Sequence, residues 1–139
     1  ASSPEEKRIL LVALGQFKDP SILEKALDFS LSKKVRIQDF AIIISSVASN
    51  PNSRSVLLPW FKNNWKRLQQ YEKSGQLFIR ILEALIACYV ISDKEKELKS
   101  FFAAHPVKYK MTLERAFEKM RKNIEWRERN SAILSNYFA

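Results

Sequence analysis

A chain of 139 residues fits one domain and buries enough surface to fold without disulfide or metal cross-links. Apolar residues make up 46% of it, which excludes global disorder, and two glycines with five prolines leave little turn chemistry for β-hairpins. The net charge of +9 is compatible with a nucleic-acid partner. The cations, however, alternate with glutamates at helical spacing, as in Glu118/Lys122 and Glu125/Arg129. We therefore interpret them as solvated helix faces and expect no nucleic-acid partner.

Three helices are predicted in the first third of the chain. The first extends from Pro4 to Gly15, and the dipeptide Asp19-Pro20 is a start signal for the second. The third, over residues 35–51, has apolar residues on two faces. We expect it to be covered on more than one side by the rest of the chain.

Five further helices are predicted after residue 53, and no stretch has the alternating pattern of a strand. The first of these covers 57–68, with Pro59 in its first turn or at a kink, and the second covers 78–89. The third begins with a capping box at Ser92–Glu95 and ends at His105-Pro106. The fourth covers 113–124, and the fifth is a short helix capped by Asn130-Ser131. Helix pairs then recur about every 35–40 residues, the period of helical-repeat solenoids. A globular helical bundle is the alternative.

The chain lacks the residues that metal or nucleophilic catalysis needs. His105 is its only histidine and Cys88 its only cysteine, so neither a zinc site nor a catalytic triad can be assembled. We expect Cys88 to be a buried thiol and His105 a surface ring at a helix end. The N-terminal residues are polar, no glycosylation sequon occurs, and the apolar runs fall short of the roughly 20 residues that cross a bilayer. We expect an aqueous, reducing compartment and no membrane partner.

Two arginines differ from the solvated cations. Arg80 lies between apolar residues at the start of a helix, where it either pairs with a carboxylate such as Glu83 or faces a cavity and binds an anionic ligand. Arg36 precedes Gln38 and Asp39 at the start of the third helix. A local ion pair with Asp39 is the simpler interpretation of Arg36, and substrate binding is the alternative.

Four segments carry a resemblance to a known family. They are Val35-Arg36-Ile37-Gln38-Asp39, Phe61-Lys62-Asn63-Asn64-Trp65, Phe101-Phe102, and Asn123-Ile124-Glu125-Trp126 with Arg129-Asn130. In order and spacing they resemble the C-terminal helical domain of gluzincin (thermolysin-like) zinc aminopeptidases. The form Val-Arg-x-Gln-Asp is most similar to the branch of puromycin-sensitive aminopeptidase and the tricorn-interacting factors.

The resemblance implies a right-handed superhelix of antiparallel helix pairs, a HEAT-like α-solenoid of about eight helices. Residues 1–139 would be one helical-repeat domain, the C-terminal part of a larger cytoplasmic aminopeptidase. Such a domain walls off a peptide chamber, while a separate catalytic domain holds zinc and removes N-terminal residues. The implied partners are that catalytic domain and peptide substrates. Exposed ends of a truncated solenoid would also allow self-association.

The resemblance adds candidate roles for three residues. Arg80 matches a position where the family often places an arginine facing the bound peptide, and it would bind a carboxylate there. Arg36 and Gln38 match the family's helix-entrance motif, in which a structural role is expected beside substrate binding. Pro59 departs from the family pattern. The alternative to this assignment is a stand-alone HEAT-like scaffold that binds a protein partner on its concave face.

Overall fold

The protein is described by a computed structural model that covers residues 3–89 and 92–138. Within these ranges it contains eight α-helices and no β-strand, which confirms the predicted all-α fold. The handedness of the superhelix stays a prediction. The chain divides into two compact units, one up to Cys88 and the other from Tyr89 onward.

The first unit contains six helices, two of them short. They are α1 (Pro4–Ala13), α2 (Pro20–Ser30), α3 (Ile37–Ser49), α4 (Leu57–Asn63), α5 (Trp65–Gln69) and α6 (Gln76–Cys88). Short 3₁₀ turns at Pro51–Ser53 and Gln70–Ser74 precede α4 and α6. The predicted start of α2 is confirmed, because the Asp19 carboxylate accepts a hydrogen bond of 2.9 Å from the Ser21 amide.

The central helix of this unit is α3, which packs against α1, α2 and α6. Phe40, Ile43 and Ile44 have no solvent-accessible surface, so two faces of α3 are covered, as its sequence predicts. Full burial of a side chain of this size contributes roughly 1.5–3 kcal/mol. The same core contains, from the other helices, Leu23, Leu27, Leu57, Phe61, Leu68, Phe78, Ile81 and Leu82.

The predicted fourth helix is two helices, and the single-helix prediction was wrong. Pro59 lies in the first turn of α4, where its missing amide hydrogen costs little. The break comes at Asn64, whose φ of −109° and ψ of 14° are not helical. Its side-chain amide donates to the carbonyl of Trp60 at 2.8 Å, beside the backbone bond of 3.0 Å from the Asn64 amide to the same carbonyl.

The second unit contains α7 (Ser92–Ala104) and α8 (Lys110–Phe138), which pack against each other. The predicted capping box of α7 depends on the Ser92 side chain, which lies outside the described part of the structure. Phe101, Phe102, Leu113, Phe117 and Met120 are buried in this unit. Arg121 and Lys99 contact the Glu95 carboxylate at 3.1 and 2.9 Å, and this cluster joins the two helices.

The short eighth helix predicted from Asn130-Ser131 is the second half of α8, so that boundary was wrong. Asn130 donates its side-chain amide to the carbonyl of Trp126 at 2.8 Å, and the Ser131 hydroxyl donates to the carbonyl of Glu128 at 3.1 Å. Both side chains therefore bond back to the preceding turn. A helix cap would require Asn130 to leave helical geometry and accept from later amides.

Candidate functional site

A cleft of about 480 Å³ opens between α1, α3 and α6. Two arginines, Arg8 from α1 and Arg80 from α6, lie at its wall, and Gln38 lines it from the first turn of α3. The other polar side chains in the lining are Gln16, Ser45, Ser46 and Ser49. No carboxylate occurs in that lining, so the cleft is cationic and rich in hydrogen-bonding groups.

Arg80 is positioned by the burial of its neighbours on α6. Phe78 and Ile81 are fully buried against the core, which leaves Arg80 on the exposed side of the helix beside α3. In the described part of the chain, Arg80 makes no ion pair, so the internal pair with Glu83 is absent there. Of the two alternatives left open by the sequence, an internal ion pair or a position facing a cavity, the structure has Arg80 in the lining of the cleft.

The wall formed by α1 is attached to α3 through Ser46. The Ser46 hydroxyl donates to the carbonyl of Val12 at 2.6 Å, and the Gln16 side-chain amide donates to the same hydroxyl at 3.1 Å. Arg8 and Val12 are four residues apart on α1 and therefore face the cleft together, and Gln16 lines it from the segment after the helix. Sequence analysis missed Arg8. That spacing was the signal, but it does not show which helix the face meets.

Arg36 lies in a different depression from Gln38 and Arg80. This second depression, of about 450 Å³, is lined by Lys7, Arg8, Arg36 and Asp39 among others. Arg36 Nε lies 3.5 Å from Asp39 Oδ2, so the local ion pair expected from the sequence is present. Lys7 Nζ lies 2.9 Å from the same oxygen and joins α1 to α3.

The Asp39 carboxyl group is held in its charged form. Burial raises the pKa of Asp39, but the hydrogen bond and charge of Lys7 together with the charge of Arg36 outweigh it, and the pKa lies below its usual value of 3.8. This carboxylate forms ion pairs with two cations, Lys7 and Arg36. It is therefore a structural group. Arg8 lines both this depression and the first cleft.

The described residues do not fit a zinc site. In 3–89 and 92–138, no three His, Cys, Asp or Glu side chains come together in a group that could hold a metal ion. As predicted, Cys88 is buried, and burial raises the pKa of its thiol. His105 is exposed at the end of α7, stacked on Phe101 with ring centroids 4.4 Å apart. None of the helices described there is long and apolar enough to span a membrane.

Comparison with known proteins identifies relatives of the whole chain. It is 30% identical over 125 residues to Aminopeptidase M1 of Arabidopsis thaliana, covering 89% of this chain and 14% of the relative. It is 26% identical over 137 residues to the alanine/arginine aminopeptidase of Saccharomyces cerevisiae, covering 97% of this chain and 16% of the relative. It is 29% identical over 124 residues to the thyrotropin-releasing hormone-degrading ectoenzyme of Rattus norvegicus, covering 88% of this chain and 12% of the relative.

These relatives confirm the resemblance to the aminopeptidases, and the chain spans only 12–16% of their length. They do not decide between the branches of those enzymes. Residues 1–122 match the family described as the ERAP1-like C-terminal domain. Because that match covers most of the chain, this protein belongs to the ERAP1-like C-terminal domain family.

Proposed function

We propose that this chain is the non-catalytic C-terminal domain of a zinc aminopeptidase and walls off the chamber in which peptides are cleaved. The proposal is supported by the family match and by relatives that are named aminopeptidases and are far longer than the chain. The zinc and the catalytic groups would belong to the rest of the longer protein. Both compact units would be consecutive parts of one helical-repeat domain over residues 1–139.

The cleft between α1, α3 and α6 is the proposed peptide-binding surface. In the described part of the chain, neither Arg8 nor Arg80 has a carboxylate partner, and this is the observation that carries the assignment. A guanidinium without a partner binds a carboxylate through charge-assisted, bidentate hydrogen bonds. Arg80 would bind the C-terminal carboxylate or an acidic side chain of a peptide, and Gln38 would bond to peptide main-chain groups. Arg36 would contribute only indirectly, because it is paired with Asp39.

Steady-state kinetics of the full-length enzyme test this role of Arg80. For peptides long enough to reach the cleft, Arg80→Ala should raise KM about tenfold or more, because a hydrogen bond to a charged group contributes roughly 1.5–3 kcal/mol. We expect kcat to stay unchanged, since the lost contact is equal in the ground state and the transition state. Peptides too short to reach the cleft should show no change.

The matched control is Arg115→Ala, which removes an exposed arginine of α8 outside the cleft lining. A second comparison uses peptides with a free or an amidated C-terminus. If the amide removes the effect of Arg80→Ala, the C-terminal carboxylate is the ligand. Kinetics of Arg80→Ala that match the wild type across all peptide lengths would exclude this role.

Cytoplasmic localisation is part of the proposal. It is supported by Cys88, a free and buried thiol of the kind that persists in reducing compartments. The relatives include a protein named as mitochondrial and one named as an ectoenzyme, so related proteins occupy other compartments. Fractionation of the source cells tests it, and recovery of the protein with secreted material would contradict it.

A further inference from the structure

The second half of α8 carries large apolar side chains in contact with solvent. Met120, near the middle of the helix, is 2% exposed. Beyond it, residues 121–137 are all exposed or half-buried. Trp126 is 56% exposed, Ile133 64% and Tyr137 80%. Surface helices normally bury such residues, so this face is chemically suited to contact another molecule.

The exposed residues follow the spacing of a helix-pairing seam. Trp126, Asn130, Ile133 and Tyr137 are separated by four, three and four positions, so they form one narrow stripe, here called the α8 seam. Asn130 lies within it, and a single asparagine in such a seam specifies the register between paired helices. The apolar face also includes Leu134, which lies four residues after Asn130 and is 49% exposed, but the amide of Asn130 lies within this face. A polar amide at that place suits a partner helix better than a lipid surface.

Three cations lie beside the α8 seam, together with the exposed Leu134 and Asn136. Arg127 follows Trp126, Arg129 precedes Asn130, and Lys122 lies two turns before Arg129 on the same side. Glu125 and Glu128 lie farther around the helix. Arg127 and Arg129 make no ion pair within the described residues, and Lys122 contacts only the exposed Glu118, at 3.4 Å. Charges at these flanking positions determine which helix pairs with a seam.

We propose that the α8 seam docks an amphipathic helix of a separate protein whose own apolar seam is flanked by carboxylates. Acidic flanks complement Lys122, Arg127 and Arg129, whereas a second copy of this chain would bring these like charges together. None of the α8 seam residues lines the cleft to which the proposed peptide-binding function is assigned.

Binding of a designed probe to the full 139-residue chain tests the proposal. The probe is a fluorescently labelled peptide helix with leucine along its seam and glutamate at the flanking positions. We expect micromolar affinity that weakens as salt is added, because screening removes the attraction between flanking charges. A control probe with lysine in place of every flanking glutamate should bind at least about tenfold more weakly, because like charges then face each other.

Variants of the chain locate the binding. Trp126→Ala and Ile133→Ala should each weaken the acidic probe about tenfold, the loss typical of a central contact residue. Their unfolding midpoints should equal that of the wild type, because both side chains are largely exposed. Ser135→Ala, on the opposite side of the helix, is the matched control and should leave affinity unchanged.

Four results would overturn the proposal. They are equal binding of the acidic and basic probes, loss of probe binding in Ser135→Ala, and a dimer in analytical ultracentrifugation that Trp126→Ala converts to a monomer. The fourth is co-sedimentation of the chain with vesicles of phosphatidylserine and phosphatidylcholine that Trp126→Ala abolishes. The last two would identify a second copy or an anionic lipid surface as the occupant. None of these outcomes bears on Arg80, so failure here leaves the proposed peptide-binding cleft untouched.

Discussion

At the residue scale, Gly15 shows how closely α1 and α3 approach. A Cβ atom at this position would contact the Ser46 hydroxyl and lie 2.6 Å from both the Ser46 carbonyl carbon and the Val47 nitrogen. Backbone atoms cannot move aside as a flexible side chain can. From the sequence, Gly15 is a helix stop. In the structure it also permits the hydrogen bond from Ser46 to Val12, two residues that line the cleft.

We predict that Gly15→Ala lowers the free energy of unfolding by about 1–3 kcal/mol, the usual cost of overpacking. Amide exchange should accelerate in α1 and in the second half of α3. The control is Gly75→Ala, where the Cβ meets nothing within 4 Å but φ is +60°. Its cost, about 1–2 kcal/mol, comes from backbone strain and should leave exchange in α1 unchanged. Wild-type stability in Gly15→Ala would contradict the close approach.

The candidate residues also show what a sequence can and cannot predict about a site. Arg36 and Gln38 are two positions apart in the chain, yet they line different depressions, because Arg36 has extended backbone just before α3 and Gln38 lies in its first turn. Gln38 and Arg80 are far apart in the chain and line one cleft, since α3 packs against α6. The sequence identifies single residues with unusual neighbours, such as an arginine between apolar residues. The helix packing that brings them together depends on the whole core.

At the scale of elements, the predicted helices were correct where apolar spacing and start signals agreed, as in α2, α3 and α6. The two wrong boundaries both involve asparagine. Asn64 interrupts a continuous apolar stripe, and Asn130 fails to interrupt a helix. Each donates its side-chain amide to a carbonyl four residues earlier. Whether the backbone then leaves helical geometry depends on packing around it, which composition and spacing do not contain.

The pairing of α1 with α3 provides a pH-dependent prediction. Lys7→Gln removes the 2.9 Å contact with Asp39 and should lower the free energy of unfolding by about 1 kcal/mol at neutral pH, as expected for a half-exposed pair. The pKa of Asp39 in the folded state lies below its ordinary value of 3.8. Its stabilising contribution is therefore complete above that value and is lost as the pH falls through the folded-state pKa.

Denaturant titrations at a series of acidic pH values measure this difference between wild type and Lys7→Gln. The difference should shrink as Asp39 becomes protonated. Lys18→Gln is the control, because it removes an exposed lysine that makes no ion pair in the described part of the chain. A difference between wild type and Lys7→Gln that persists unchanged at low pH would show that the Lys7 stem, and not its charge, stabilises the helix pair.

At the scale of the whole molecule, the chain combines a buried apolar core with large apolar side chains on its surface. The buried residues of α2, α3 and α6 form a continuous interior, whereas Ile9 and Leu10 on α1 are 67% and 63% exposed. Phe17 and Phe29 are 43% and 44% exposed. Apolar surface of this kind is typical of a helical repeat that adjoins another repeat, and self-association of the isolated chain stays a prediction.

We predict that the native protein is several times heavier than the 16.2 kDa of this chain. The chain spans only 12–16% of the length of its relatives. This mass is measured by an immunoblot of source cells with an antibody raised against the chain. In the control, the antibody is first absorbed with the purified chain. A heavy band that co-purifies with aminopeptidase activity supports the proposed function. A single band at 16.2 kDa would contradict it, because no catalytic domain would then be attached to the chain. A stand-alone helical scaffold that binds a protein partner would then become the leading explanation.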